Sequence, residues 1–221
     1  MTQALIIGDT GGIGAALGRE LTARGASVTG LSRSRDSLDL TDEGSVAHAL
    51  GGCDGPFDVV LVTTGALEID GGAPEKTIRT ISARAMMDQF ALNAVGPALV
   101  LREAPRLLPR SRRSVFAVLS ARVGSIGDNR LGGWVSYRAA KAAVNQVVRT
   151  SAIELARTHK EAICVALHPG TVATPFTEKY LGRHPAVPPQ EAAQNLLCVI
   201  EDLTPKDTGG FFDWAGKVIP W

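Results

Sequence analysis

The sequence predicts an α/β fold: one doubly wound parallel sheet with helices on both faces, shortened after the second strand. Two observations carry this prediction. Strand-like and helix-like stretches alternate along the 221 residues without a linker or low-complexity segment, which is the pattern of repeated βα units. The strand candidates are also almost continuously apolar, as strands covered on both faces must be. A single domain spanning 1–221 follows from the length, which suits one buried core.

The strand candidates run from Ala4 to Gly8, Ser27 to Leu31, Phe57 to Val62, Ser114 to Leu119 and Ile163 to His168. Helical spacing of apolar residues marks Ile13 to Arg24, Thr41 to Leu50, Ala83 to Leu108 and Trp134 to Thr158, with Asp42 and Glu43 supplying first-turn charge to the second of these. Pro97 lies inside the third and should kink it or mark a close contact. Only Ser32 to Ser37 separates the second strand from a possible short strand at Leu38 to Leu40, so no full crossover helix fits there.

Composition narrows the function classes. A net charge of +1 gives no electrostatic case for nucleic acid. The basic stretch from Arg106 to Arg113 reads as a solvated connection. Cys53, Cys164 and Cys198 have neither paired nor metal-like spacing and read as small buried hydrophobes in a reducing compartment. His168 and His184 lack neighbours at ligand spacing, so no metal site is expected. The beginning of the chain has no basic flank, and its apolar run is too short for a signal peptide or a membrane span; the expected location is the cytoplasm.

The first strand leads directly into Gly8-Asp9-Thr10-Gly11-Gly12-Ile13-Gly14 and then a helix. Glycines there let the backbone turn tightly and approach a pyrophosphate at the positive helix end, so a Rossmann-type dinucleotide site is expected. An acidic residue about 20 positions on would select a ribose hydroxyl. Ser32, Arg33, Ser34 and Arg35 stand there instead. A guanidinium at that place suits the ribose phosphate of NADP, with Arg33 the principal contact and NAD the lesser choice. Further on, Tyr137 and Lys141 are four residues apart, so a helix sets phenol and ammonium on one face, and a nearby ammonium would lower the phenol's pKa.

With Gly8-x-x-x-Gly12-x-Gly14, Asp39-Leu40, Gly65, Asn93, Tyr137-x-x-x-Lys141 and Pro169-Gly170-x-Val172-x-Thr174 in order, the chain resembles the short-chain dehydrogenase/reductase family. The stretch Val123 to Asn129, Gly132-Gly133-Trp134 and the ending Gly216 to Trp221 resemble its C-factor-type and carbonyl reductase subgroup. The resemblance implies that Tyr137 protonates a carbonyl oxygen while a nicotinamide delivers hydride. It implies that Lys141 lowers the phenol's pKa and holds the nicotinamide ribose, and that Asn93 supports a water in the proton relay. Asp39 would contact the adenine amine beside the Leu40 backbone, or alternatively cap the following helix. Pro169-Gly170 would shape the loop under the nicotinamide and Thr174 would bind its carboxamide.

Two departures stand out. The family's catalytic serine falls on Ala121, in Leu119-Ser120-Ala121-Arg122-Val123-Gly124, so Ser120 is taken as the replacement, with Ser125 the other candidate. Val62-Thr63-Thr64-Gly65 replaces the usual Asn-Asn-Ala-Gly run, with only Gly65 matching. Substrate selection is expected from 66–77, 124–133 and 176–187, with Phe176, Tyr180 and Leu181 either a lid over the nicotinamide or a helix packed on the body. The resulting expectation is an NADPH-dependent reductase of a small carbonyl substrate, homodimeric or homotetrameric. The alternatives are a dinucleotide-binding signalling or sensor protein with little catalysis, and an inert scaffold.

Overall fold

A computed structural model of the chain describes residues 1–183 and 185–221, without the side chains of 181–183. Six parallel strands form one sheet: β1 (Gln3–Ile7), β2 (Ser27–Leu31), β3 (Val59–Val62), β4 (Ser114–Leu119), β5 (Ala162–His168) and β6 (Phe211–Asp213). Their order is β2-β1-β3-β4-β5-β6. The chain moves one way from β1 to β2 and the other way from β1's far side, through β3, to β6. The crevice at this reversal, beyond the carboxyl ends of β1 and β3, is where such sheets bind ligands.

The helices are α1 (Gly12–Ala23), α2 (Arg33–Asp36), α3 (Glu43–Gly51), α4 (Ala83–Phe90), α5 (Gly96–Arg102), α6 (Ala104–Leu107), α7 (Val135–Leu155) and α8 (Pro189–Asp202). Alternate residues of each strand feed two separate cores. Leu5, Ile7, Val60, Val62, Phe116 and Val118 pack under α3, α5 and α7. Ala4, Ile6, Val59, Leu61, Val115 and Ala117 pack under α1 and α8. A strand that serves both cores has no polar face, which is why the runs read as continuously apolar.

The stretch after β2 is short, as expected: α2 is a single turn. Leu38 to Leu40, however, is not a strand. Ser37 turns the backbone at φ 55°, the Asp39 N–H donates to Ser45 Oγ, and Asp39 Oδ1 accepts from the Thr41 N–H and hydroxyl. The two leucines are buried nonetheless, beneath the α3 side of the sheet.

Pro97 neither breaks nor sharply ends its helix. A π-helical segment, Ala91–Val95, joins α4 to α5, widening the turn just before the proline. The arginine stretch also departs from a solvated reading. Arg106 donates to the carbonyls of Leu50 and Cys53 at the end of α3, and Arg113 to those of Ile200, Glu201 and Leu203 at the end of α8, adding charged donors at two helix C-termini. Of the cysteines, Cys53 and Cys164 are buried but Cys198 is exposed. Among the described residues no helix is long and apolar enough to cross a membrane.

Candidate active site

The loop after β1 meets the loop after β3 at the crevice. Gly8 has φ 94°, open to glycine, and the Thr63 hydroxyl donates to the carbonyls of Ile7 (2.9 Å) and Gly8 (3.2 Å). Thr63 therefore braces the glycine loop from β3, which accounts for a threonine where the family run has asparagine. Helix α1 starts without a side-chain cap, leaving first-turn N–H groups to bind an anion. Across the crevice, Thr174 Cγ2 lies 2.7 Å from where a Cβ on Gly12 would be, so only glycine lets the loops after β1 and β5 come together.

Ser32 is buried, and its N–H and hydroxyl are turned to Asp36 Oδ2. Arg35 pairs with Asp9 (2.8 Å) and Asp36 (3.3 Å) and is not free in solvent. Arg33, by contrast, is exposed and makes no ion pair among the described residues, which leaves it the available cation at this end of the crevice. Asp39 is exposed with its Oδ1 engaged by Thr41; it does not cap α3, whose N-cap is Asp42. Leu40 is buried against Gly96.

At the other end, Tyr137 and Lys141 emerge from the first two turns of α7, both buried. Lys141 Nζ donates to the Leu119 carbonyl at 3.0 Å and lies 5.8 Å from the centre of the Tyr137 ring. Burial pushes the Tyr137 phenol well above its usual range and brings the Lys141 ammonium down to about 8. Without cofactor, desolvation thus dominates, and the phenol keeps its proton instead of approaching phenolate. That shift keeps the phenol protonated but makes it a weaker acid than a free phenol.

Asn93 sits in the π-helical segment, fully buried. Its side chain donates to Ala66 O (2.9 Å) and Gln89 Oε1 (2.7 Å) and accepts from the Ala66 N–H (3.2 Å), so every buried polar atom of the amide is matched. Asn93 Oδ1 lies 2.8 Å, and Lys141 Nζ 3.5 Å, from a Cβ built on Gly65, which explains glycine there. The Asn93 amide thereby fixes the loop after β3, and Pro97, four residues on, brings no N–H to the Asn93 carbonyl.

The serines answer the question raised by Ala121. Ser120 Oγ donates to Asn145 Oδ1 at 2.6 Å, while Asn145 Nδ2 donates to the Gly124 carbonyl at 3.3 Å and so fixes which end of the amide accepts. The one Ser120 proton is committed inside the core, which argues against Ser120 as a donor to substrate. Ser125 is turned to the Pro220 carbonyl and the Asp128 N–H. Both hydroxyls are thus engaged by groups of the protein in this arrangement.

Phe176 and Tyr180 lie beside the aromatic residues at the start of α7. The Phe176 ring is 6.4 Å from that of Tyr137, and Tyr180 packs edge-on against Trp134 at 5.4 Å, with its hydroxyl on Glu68 at 2.7 Å. Lys179 also pairs with Glu68, at 2.6 Å. The Leu181 side chain and His184 lie outside the described residues. His168 ends β5 beside Asp213 of β6, its pKa lowered to about 4 by burial and the nearby Arg122, with Asp213 opposing. Gly170 follows at φ 79°, against Trp214, and Val172 is buried. Among the described residues no three His, Cys, Asp or Glu side chains are grouped to hold a metal.

Residues 37–183 match the family model for short chain dehydrogenases. The chain belongs to that family. A short-chain dehydrogenase relative from Rhodococcus sp. (strain AD45), 1-hydroxy-2-glutathionyl-2-methyl-3-butene dehydrogenase, is 30% identical over 100% of both chains. The C-signal protein of Myxococcus xanthus is 32% identical over 79% of this chain and 99% of its own. Among solved structures, a short-chain dehydrogenase/reductase from Burkholderia multivorans with bound NADP is 26% identical, with a TM-score of 0.81 over 100% of this chain and 99% of that one. Within this short-chain dehydrogenase, Gly12 lies against Thr174, and Gly65 against Asn93 and Lys141. Glu75, Gln89 and Asn145 were not anticipated, since each acts through a partner distant in sequence or through a backbone group that no local pattern reveals.

Proposed function

We propose that the chain is an NADPH-dependent reductase of small ketones or aldehydes, reversible as an alcohol dehydrogenase, with Tyr137 the general acid. The observation that carries this is the convergence of Tyr137, Lys141, Gly65 and Asn93 at the carboxyl end of β3 and β4, beside a glycine loop shaped for a dinucleotide. The glycine cradle, the uncapped start of α1 and the unpaired Arg33 fit NADP, and the Burkholderia multivorans structure with bound NADP supports the choice. The bound nicotinamide would supply the hydride. Tyr137 gives its proton to the carbonyl oxygen, and Lys141 stands behind the phenol to restore it. Asn93 holds the loop that carries Gly65, and its main-chain carbonyl supports the relay water. Phe176, Tyr180 and Trp134 exclude bulk solvent. Thr10, Gly11, Ile13, Ser32, Asp39, Leu40, Pro169, Gly170, Val172 and Thr174 complete the cofactor contacts.

Ala121 leaves the developing oxyanion one donor short, a loss of about 3 kcal/mol of barrier stabilisation that slows reduction without abolishing it. Ser120→Ala is accordingly expected to cost about 1–3 kcal/mol of stability, through the unsatisfied Asn145 oxygen, and to leave kcat nearly unchanged. A large fall in kcat at unchanged stability would restore Ser120 to the site. The same missing donor, with the C-signal relative, favours a second reading: a dinucleotide-binding sensor with little turnover. Loss of reduced-nicotinamide absorbance separates the two across a panel of 4-nitrobenzaldehyde, phenanthrenequinone and simple alkyl ketones. Turnover with NADPH supports the reductase; tight NADPH binding with no turnover supports the sensor. We place this single-domain chain in the cytoplasm as a homodimer or homotetramer acting on a small molecule, without nucleic acid or membrane partners.

A further inference from the structure

Helix α7 presents Tyr137 in its first turn, yet its own sequence provides no means of capping that turn. Trp134 stands at the N-cap and makes no side-chain capping bond. The backbone leading into it is unusual: Gly132, Gly133 and Trp134 have consecutive φ values of 63°, 68° and 53°. Glycine tolerates this region, whereas tryptophan adopts it only when the surroundings impose it.

Arg138 Nε donates to the Gly133 carbonyl (2.9 Å) and the Gly132 N–H to Asn129 Oδ1 (3.1 Å), and the contact from outside this region comes from Glu75, 61 positions upstream of Ser136. The Glu75 main-chain carbonyl accepts the Trp134 N–H at 2.6 Å. Its carboxylate accepts the Ser136 N–H at 3.2 Å through one oxygen and the Ser136 hydroxyl through the other. Glu75 is only 8% exposed. Burial raises its carboxyl pKa, but the Ser136 hydrogen bonds lower it further, so the group stays ionised beside the positive end of a 21-residue helix. The two residues held by this contact both adjoin Tyr137. Ser136 precedes Tyr137, and the Trp134 ring packs edge-on against both Tyr137 (6.4 Å) and Tyr180 (5.4 Å).

We propose that Glu75 is a positioning residue for the reaction: it clamps the strained turn before α7 so that the Tyr137 hydroxyl and the Trp134 wall of the pocket hold their working orientation. The remainder of α7 is anchored elsewhere, by Val144, Val148, Ala152 and Leu155 in the core beneath it. Releasing the clamp therefore loosens the first turn while the body of the helix and the glycine loop stay in place. The inference rests on the reductase reading in that it gives the Tyr137 hydroxyl a proton to deliver.

The test compares Glu75→Ala, Glu75→Gln, Ser136→Ala and Tyr137→Phe in the full chain, with NADPH and whichever of the two named carbonyls, 4-nitrobenzaldehyde or phenanthrenequinone, the wild type reduces faster. Glu75→Ala should lower kcat by roughly 10- to 100-fold, the range that misplacing a reacting group produces, with the Kd for NADPH unchanged. Glu75→Gln should recover most of the rate, because its amide can accept the Ser136 N–H and donate to the Ser136 hydroxyl. Adding Ser136→Ala to Glu75→Ala should cost nothing more, as expected of two groups in one contact. A second readout needs no turnover: near-ultraviolet circular dichroism of Glu75→Ala should lose the same aromatic signal as Trp134→Phe, with the far-ultraviolet spectrum intact. Wild-type kcat or an unchanged near-ultraviolet spectrum in Glu75→Ala overturns the proposal. So does a rate loss that Glu75→Gln shares in full. Unchanged turnover in Tyr137→Phe would instead overturn the reductase reading, leaving the spectroscopic result to decide the role of Glu75.

Discussion

Tyr137→Phe is expected to bind NADPH as the wild type does while reducing carbonyl substrates at least about a hundredfold more slowly, the contribution of one positioned proton donor. The substitution removes a single oxygen from a ring that keeps its packing against Trp134 and Phe176. Burial, with no hydrogen bond to the hydroxyl among the described residues, accounts for the raised Tyr137 pKa, so loss of the hydroxyl orphans no protein partner. The fold should therefore be unaffected, and the rate isolates proton donation. The effect should also be cleaner here than where a serine shares the substrate oxygen, because Ala121 has no hydroxyl and the Ser120 proton belongs to Asn145. Steady-state kcat and NADPH affinity of the purified variant check this. Undiminished turnover would assign the proton to another group.

Arg33→Ala should weaken NADPH by about 10- to 100-fold and leave NADH nearly untouched, the size of a charge-assisted hydrogen bond to a phosphate. The neighbouring arginine cannot substitute, because Arg35 is held by Asp9 and Asp36 and also donates to the Gly30 carbonyl. Asp9 sharpens the contrast. Its carboxylate lies where any side chain on Gly30 would collide with it, and Arg35 offsets its charge. On the proposed reading, Arg33 is thus the cation that would distinguish a phosphorylated ribose from a free one. Titration of both dinucleotides by fluorescence gives the ratio directly, and equal losses for the two would remove Arg33 from the phosphate site.

Much of this was legible in the sequence because it is encoded by short-range pattern. The sheet announced itself through strands that serve two cores, and the cofactor cradle through glycines between β1 and α1. The Tyr137 and Lys141 pair follows from helical spacing alone. What escaped depended on contacts far apart in the chain. Strand β6 is three residues long and takes its register from His168 and its neighbours, so it left no periodic signal. Helix α8 opens on Pro188 and Pro189 after an irregular stretch, which masked an amphipathic run packed on α1. Leu38 to Leu40 looked like a strand because alternate leucines are buried, but its backbone finds side chains instead of a neighbouring strand. The sequence raised Ser120 as a donor because it lies one residue from the expected place, and only the position of Asn145, 25 residues on, shows where its proton goes. Glu75 is the clearest case: in a loop that also holds Glu68 and Asp70, nothing local shows that its carboxylate meets a helix start 61 residues away.

The central claim is hydride transfer from NADPH to a carbonyl carbon at this site. NADPH carrying deuterium at the transferable position of the nicotinamide, incubated with the wild-type chain and 4-nitrobenzaldehyde or a simple alkyl ketone, tests it directly by mass spectrometry of the product. An alcohol bearing one deuterium on the former carbonyl carbon, formed at least about a hundredfold more slowly when Tyr137→Phe replaces the wild type, is the predicted result. NADPH bound at the crevice with no label transferred to any carbonyl of the panel would contradict it.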